Sequence, residues 1–395
     1  MSDAGGSSGR NADRSTDRGA GDGAASPAPP TPDAVSPAQS APGGPGGGRA
    51  ASTGPDEGPR PPSWRALLTG LLMALVMATI MVTTYVSAQH AVVARDLPWG
   101  VTGSSPLTTA VQEHVSLKIH HYKDQAALED AANRTEIYGG FVAQSNTVVI
   151  AEAASLVAPG QMPAIYEKAA KAQGRHLAFK VTNRLPKEDP LGVVPGIAVF
   201  VLLVAGYLGS TLAVQRTGTA AARRRVVSLI GYAVIAALVF DVIIGPILNA
   251  YPDVGTNFWP LWGEFTLMCL AVALLAATLQ SLIGPIGTLL TVVIVVFFGN
   301  PSTGGVNGTA YLPAFWQYLG PVLPPWNGST LIRNTLYFDG NAITQQLVVL
   351  SIYVVVGAAL VTISTYGHLL WWRGTKRRPP ISPEEEGGIA AIPPA

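Results

Sequence analysis

Charge is the first thing this sequence has little of: Asp, Glu, Lys and Arg make up 12% of its 395 residues, against about 25% in an ordinary soluble domain. Hydrophobic residues reach 48%, so the deficit is too large for a big soluble core and points to lipid as the solvent. Formal net charge is +1, which gives no field that would draw a nucleic acid. Cysteine is nearly absent. The single Cys269 lies in an apolar run; this excludes a disulfide framework or thiolate metal site within one chain and leaves a small buried apolar residue. Also missing are a Walker A loop, a nucleophile elbow, a metal-protease helix and a dinucleotide glycine pattern. No catalytic residue, metal ligand set or cofactor is therefore assigned, and a membrane enzyme ranks last among the functional classes. His120-His121 is the best metal pair on offer, but neighbours on a strand point to opposite faces and cannot easily share one ion.

What the sequence does hold is long apolar runs. Residues 1–63 come first as a Gly, Ala, Pro and Ser tract with no apolar period, the composition of a disordered tail. The run Ala66 to Ala88 then has about 23 residues without a charge, longer than the roughly 30 Å hydrocarbon core requires. Some 60 residues precede it, which favours an uncleaved anchor over a signal peptide. Further runs are Gly192 to Val214, Val226 to Leu248, Trp262 to Ile283, Ile286 to Phe298 and Gln346 to Leu370. Gly284-Pro285 divides the fourth from the fifth, because Pro inside a helix removes a hydrogen bond and clashes with the preceding turn.

Six spans put all the basic clusters on one side. Arg60 and Arg65 precede span one, Arg223-Arg224-Arg225 joins spans two and three, and Arg373 to Arg378 follow span six. Basic residues gather on the cytoplasmic side. Both termini are then cytoplasmic, in a multi-pass protein of the plasma membrane.

That orientation leaves residues 89–191 outside as one small domain. Leu97 to Gly103 and Leu117 to Tyr122 read as strands, and Pro106 to His114 and Asp124 to Asn133 as helices. Tyr138 to Ala143 and Thr147 to Ala153 read as a hairpin, followed by a helix over Met162 to Leu177. The expected fold class is thus an α-helical polytopic membrane protein of six spans with a small extracytoplasmic α/β domain between spans one and two. The five-span membrane region is 192–372, and 373–395 is a cytoplasmic tail. Within it, 300–345 is too rich in aromatics for a plain loop, so short re-entrant helices are expected over Leu312 to Leu323 and Ser329 to Phe338. The sequons at Asn133, Asn307 and Asn327 would matter only in a eukaryotic secretory pathway.

Asp241 is the most informative polar residue. It falls inside span three, where an ionised carboxylate costs about 2.5–3.5 kcal/mol on insertion scales. Either it lines a transport path or it hydrogen-bonds a neighbouring helix. Glu264 lies near Trp262 and reads as a solvated carboxylate at a helix start.

The order of one span, an external domain and five more spans resembles the membrane subunits of type-two ABC transporters, in particular the YhgE/Pip-like branch. The stretch Asn300-Pro301-Ser302-Thr303-Gly304-Gly305, then Leu312-Pro313-Ala314-Phe315-Trp316, Leu323-Pro324-Pro325 and Arg333…Tyr337-Phe338 is similar to that family's segment before span six. The resemblance covers roughly 64–372. It implies an export permease for an amphipathic or lipid-like compound, acting in membrane lipid. Its partners would be an ABC ATPase in trans and a second copy or related permease. Arg223, Arg224 and Arg225 then mark the loop that contacts the ATPase. The rival class is a non-transporting envelope receptor or scaffold acting through residues 89–191.

Overall fold

The computed structural model describes residues 63–217 and 222–375. The expectations for the N-terminal tail, and for the basic residues Lys376 to Arg378, fall outside that range. So does residues 218–221, the middle of the arginine loop.

Helix α1 (Trp64–Gln89) starts on Ser63, whose Oγ accepts from the amide of Ala66. Its leucines face outward, and only Thr84 and Ala88 are buried.

The α/β domain follows as β1 (Leu97–Thr102), α2 (Pro106–Gln112), β2 (Leu117–Tyr122), α3 (Gln125–Asn133), β3 (Gly139–Val142), β4 (Thr147–Ala151), α4 (Ala158–Ala172) and β5 (Ala178–Thr182). The sheet order is β2-β1-β3-β4-β5, parallel except for the β3–β4 hairpin. Strand alternation sends Leu97, Trp99 and Val101 of β1 to one face. There Trp99 stacks on Tyr166 of α4 at 5.7 Å between ring centroids and donates to its hydroxyl at 2.8 Å. Helix α3 covers the opposite face with Leu128. A Cβ on Gly140 would lie 2.5 Å from the Leu128 side chain, so glycine is what lets α3 sit this close. Two readings are corrected. The helix expected over Met162 to Leu177 starts at Ala158 and ends at Ala172. The edge strand β5 was not expected, because its first four residues are exposed and carry no buried stripe.

The bundle consists of α5 (Val194–Thr217), α6 (Ala222–Val242), α7 (Val254–Ile283), α8 (Pro285–Val292), the short α9 (Asn300–Ser302), α10 (Ala314–Leu319), α11 (Pro324–Tyr337) and α12 (Thr344–Thr375). Among the described residues six helices are long and apolar enough to cross a membrane, the fifth being α8 prolonged through a π-helical stretch and α9 to Ser302. Helix α7 is the centre, with α5, α6, α11 and α12 packed around it. It begins at Val254, two turns before the expected Trp262, and simply continues through Pro260. Gly284 turns the chain with φ 61°, which glycine adopts without strain. Helix α11 starts at Pro324, five residues before the expected Ser329, because prolines at the first turn need no amide partner.

Candidate functional site

Glu264 and Gln280 lie on α7, roughly 24 Å apart along its axis at 1.5 Å per residue. Each anchors a polar cluster.

The first cluster lies toward the α/β domain. Asp241 is wholly buried near the end of α6 and accepts from Tyr251 Oη at 2.7 Å. Tyr251 reaches it across the π-helical turn Ile243–Ile247. A Cβ on Gly245 would meet that hydroxyl at 2.4 Å, so the glycine makes the contact sterically available. Glu264 is 6% exposed and accepts from Thr335 Oγ1 of α11 at 2.5 Å. It is therefore not the solvated helix-start carboxylate expected: with α7 beginning at Val254, position 264 lies about three turns inside the helix. Trp262 Nε1 donating to Val234 O at 3.0 Å and Phe240 packed edge-on to Phe265 hold α6 against α7 at this level. The two carboxyls are near enough to act on each other electrostatically. Asp241 Oδ2 and Glu264 Oε2 are buried without a partner, and neither carboxyl has an ion pair among the described residues. Such a pair can take up a proton or a donor group carried by a ligand.

The second cluster lies at the opposite end. Arg225 is 2% exposed. Its Nη1 donates to Ser281 Oγ at 2.8 Å, and its Nη2 to Gln280 Oε1 at 3.0 Å and to Ala277 O at 3.3 Å. Gln280 also accepts from Ser210 and donates to Thr211, so one amide ties α5, α6 and α7. Of the three loop arginines, only Arg223 and Arg224 are exposed; Arg225 is spent on the bundle.

Between domain and bundle lies a cleft of about 350 Å³. The turn after α3, with Arg134, Glu136 and Tyr138, forms one wall; Trp326, Thr330 and Arg333 of α11 form another. The domain is fastened beside it. Arg95 Nη1 donates to Tyr311 O at 2.9 Å, Leu156 N to Val306 O at 2.8 Å and Ala310 N to Tyr138 Oη at 3.3 Å. The quoted Asn300–Gly305 motif serves this junction. Asn300 Nδ2 donates to Tyr85 of α1, and Gly304 and Gly305 take left-handed conformations that open the turn to Arg333, whose Nη2 donates to Gly305 O at 2.5 Å. Asp189 accepts from the amides of Val193 and Val194, capping α5, and from the hydroxyl of Tyr337.

His120 is half-buried and His121 exposed on β2, and no cluster of three or more metal-type ligands occurs among the described residues. Gln280, Tyr251 and Thr335 were not singled out from the sequence. The cue available was Gly245-Pro246 one turn past Asp241, which marks where a following side chain can fold back. No family model, curated protein or solved structure matches the chain.

Proposed function

We propose that this chain is the permease-like membrane subunit of an export system for an amphipathic or lipid-like compound, powered by a separate ATPase. The observation that supports this reading is the Asp241–Glu264 pair: two buried carboxyls, each with a free oxygen, between α6, α7 and α11. Ionisable groups inside a membrane bundle are rare and mark substrate or proton pathways. The sequence holds no phosphate-cradling loop, so the energy comes from a partner that supplies one.

In this reading the protein sits in the plasma membrane, in lipid, as a homodimer or with a related permease. Both termini are cytoplasmic and the α/β domain is outside. The sole cysteine is buried, so single engineered thiols report topology cleanly. Impermeant reagent added to intact cells labels a cysteine placed at Ser145 or Asn307 and spares one at Thr219 or Ser382. Labelling at Ser382 from outside removes the six-span arrangement.

The ATPase is tested by mild-detergent pull-down. The wild type brings down a nucleotide-binding subunit. Replacing Arg223 and Arg224 by Lys keeps charge and topology but removes the planar fork that suits carboxylates, and recovers less. Burial of Arg225 leaves two of the three arginines for such a contact, and this favours the second reading, an envelope receptor or scaffold acting through residues 89–191. If the wild type retains its own oligomer yet brings down no ATPase, that reading replaces the first.

A further inference from the structure

We propose that the cleft between the α/β domain and α11 binds the anionic head of a membrane amphiphile, a phosphate or a carboxylate, on Arg333.

Of the cations that line the cleft, Arg333 is the one without an ion pair among the described residues. Arg134 pairs with Asp130 and, at 2.9 Å, with Glu136, so that wall's cation is already taken up by two acids. Asp189 is near enough to Arg333 to act on its charge, but its oxygens are engaged by two backbone amides and the Tyr337 hydroxyl, and it makes no ion pair with the guanidinium. Arg333 is half-buried, its one hydrogen bond among the described residues goes to the neutral carbonyl of Gly305, and it has no ion pair among them. A guanidinium carries five N–H donors arranged as a fork that fits phosphate or carboxylate, and most of that capacity is uncommitted. A second observation is independent of it. Trp326, on the same wall, buries its indole N–H without any partner among the described residues, and a buried donor left unsatisfied is destabilising. The half-buried hydroxyl of Thr330 lies between them in sequence, one helical turn from each side. All three residues line the same cleft.

The size and position of the cleft select an amphiphile. Its volume is at the small end of ligand pockets, which run about 300–1,000 Å³, so a headgroup fits and hydrocarbon chains must lie outside. Gln345 and Gln346, which also line it, belong to the first turn of α12, where a 21-residue apolar span begins. The mouth therefore sits at the edge of the apolar layer, where chains can run into lipid while the head stays in the cleft. This deepens the transport reading by giving the charge of the compound and its place of contact. It is assayed on purified protein alone, so its failure is distinct from absence of an ATPase.

The test uses the full chain in mild detergent and native mass spectrometry, with phosphatidylglycerol, phosphatidylcholine and inorganic phosphate as probes. Phosphatidylglycerol is retained in preference to phosphatidylcholine. Arg333→Gln weakens it roughly tenfold to a hundredfold, the worth of a hydrogen bond to a charged group. Arg333→Lys, which keeps charge without the fork, and Trp326→Phe, which removes only the N–H, weaken it less. Equal retention of the two lipids overturns the proposal, as does a folded Arg333→Gln protein with unchanged retention. If that variant does not fold, unchanged retention in both Arg333→Lys and Trp326→Phe overturns it. Displacement of the lipid by millimolar phosphate assigns the site to a free oxyanion instead of a membrane amphiphile.

Discussion

The α/β domain and the helix bundle differ in what they turn outward and in how many polar groups they bury. In the domain the large apolar side chains Leu97, Leu107, Leu128 and Trp99 are fully buried, and charges such as Lys118 and Lys180 stay at the surface. In the bundle the small residues Ala233, Ala237, Ala271, Ala273 and Ala277 share the centre with Leu202, Phe265, Met268 and Leu274, and Asp241, Glu264, Arg225 and Gln280 are buried as well. Leu71, Ile235 and Val355 face outward at 68%, 63% and 67% exposure. The first pattern suits water and the second suits lipid. In water apolar burial stabilises the fold. In lipid it contributes nothing between helices, so close backbone approach and hydrogen bonds take over. Gly206 shows the second regime: a Cβ there would lie 2.5 Å from the Cys269 carbonyl, and its absence lets α5 seat on α7.

The sharpest way to break this comparison is a pair of truncations. Trp99→Ala opens a cavity in the domain core and strands the Tyr166 hydroxyl, and costs about 3–5 kcal/mol. Leu71→Ala on the outward face of α1 changes stability by about 0.5 kcal/mol or less. Limited proteolysis and detergent melts read both. Equal losses would mean that α1 packs against protein, not lipid.

Next in size is Gly206→Val, which overpacks the α5–α7 seam and destabilises the bundle by about 1–3 kcal/mol while leaving the protease resistance of the domain unchanged. A simultaneous loss in both regions would show that the two unfold as one cooperative unit.

The buried carboxyls sharpen the comparison from the side of activity. Asp241→Asn keeps an oxygen for Tyr251, and Glu264→Gln keeps one for Thr335, so the melting temperature of the bundle is preserved. Export falls by roughly tenfold or more, the factor that one hydrogen bond to a charged group represents. Unchanged export in both variants reduces the pair to helix fastening. Loss of folded protein in Asp241→Asn but not in Asp241→Leu contradicts both roles.

Smallest is the surface pair of the domain. Burial pushes the Glu129 carboxyl up, but bonds from Lys180, at 2.7 Å, and from Gln125 outweigh it and hold the group below its usual range. A depressed folded value adds stability that is present above the unfolded value, about 4.3, and is lost as pH falls through the folded one. Lys180→Met therefore lowers domain stability at pH 7 by about 0.2–1 kcal/mol. The difference vanishes once the pH is below both values. A deficit that persists there would place the effect in packing of the lysine stem.

Much of this was readable along the chain. All six long helices and four of the five strands lie where apolar runs and alternation placed them, since both depend on a few neighbouring residues. Boundaries moved where proline misled. Pro324 opens α11, a first-turn position that tolerates a missing amide proton, whereas α7 continues through Pro260 at the cost of one helical hydrogen bond. Missing that start of α7 is what made Glu264 look like an interfacial residue.

By itself, the sequence determined that this protein has two kinds of segment, one patterned for water and one for lipid, because hydropathy is a local property. It also singled out Asp241, since a lone acid in an apolar run is visible without any contact map. Only the tertiary structure decided that Asp241 meets Tyr251 beside Glu264, that Arg225 turns inward to Gln280, and that Arg333, at the edge of a cleft, has no ion pair among the described residues. Those outcomes depend on which helices pack together, and the partners lie ten to more than fifty positions apart in the chain. No local pattern encodes such pairings; the packing of α6 and α11 on α7 does.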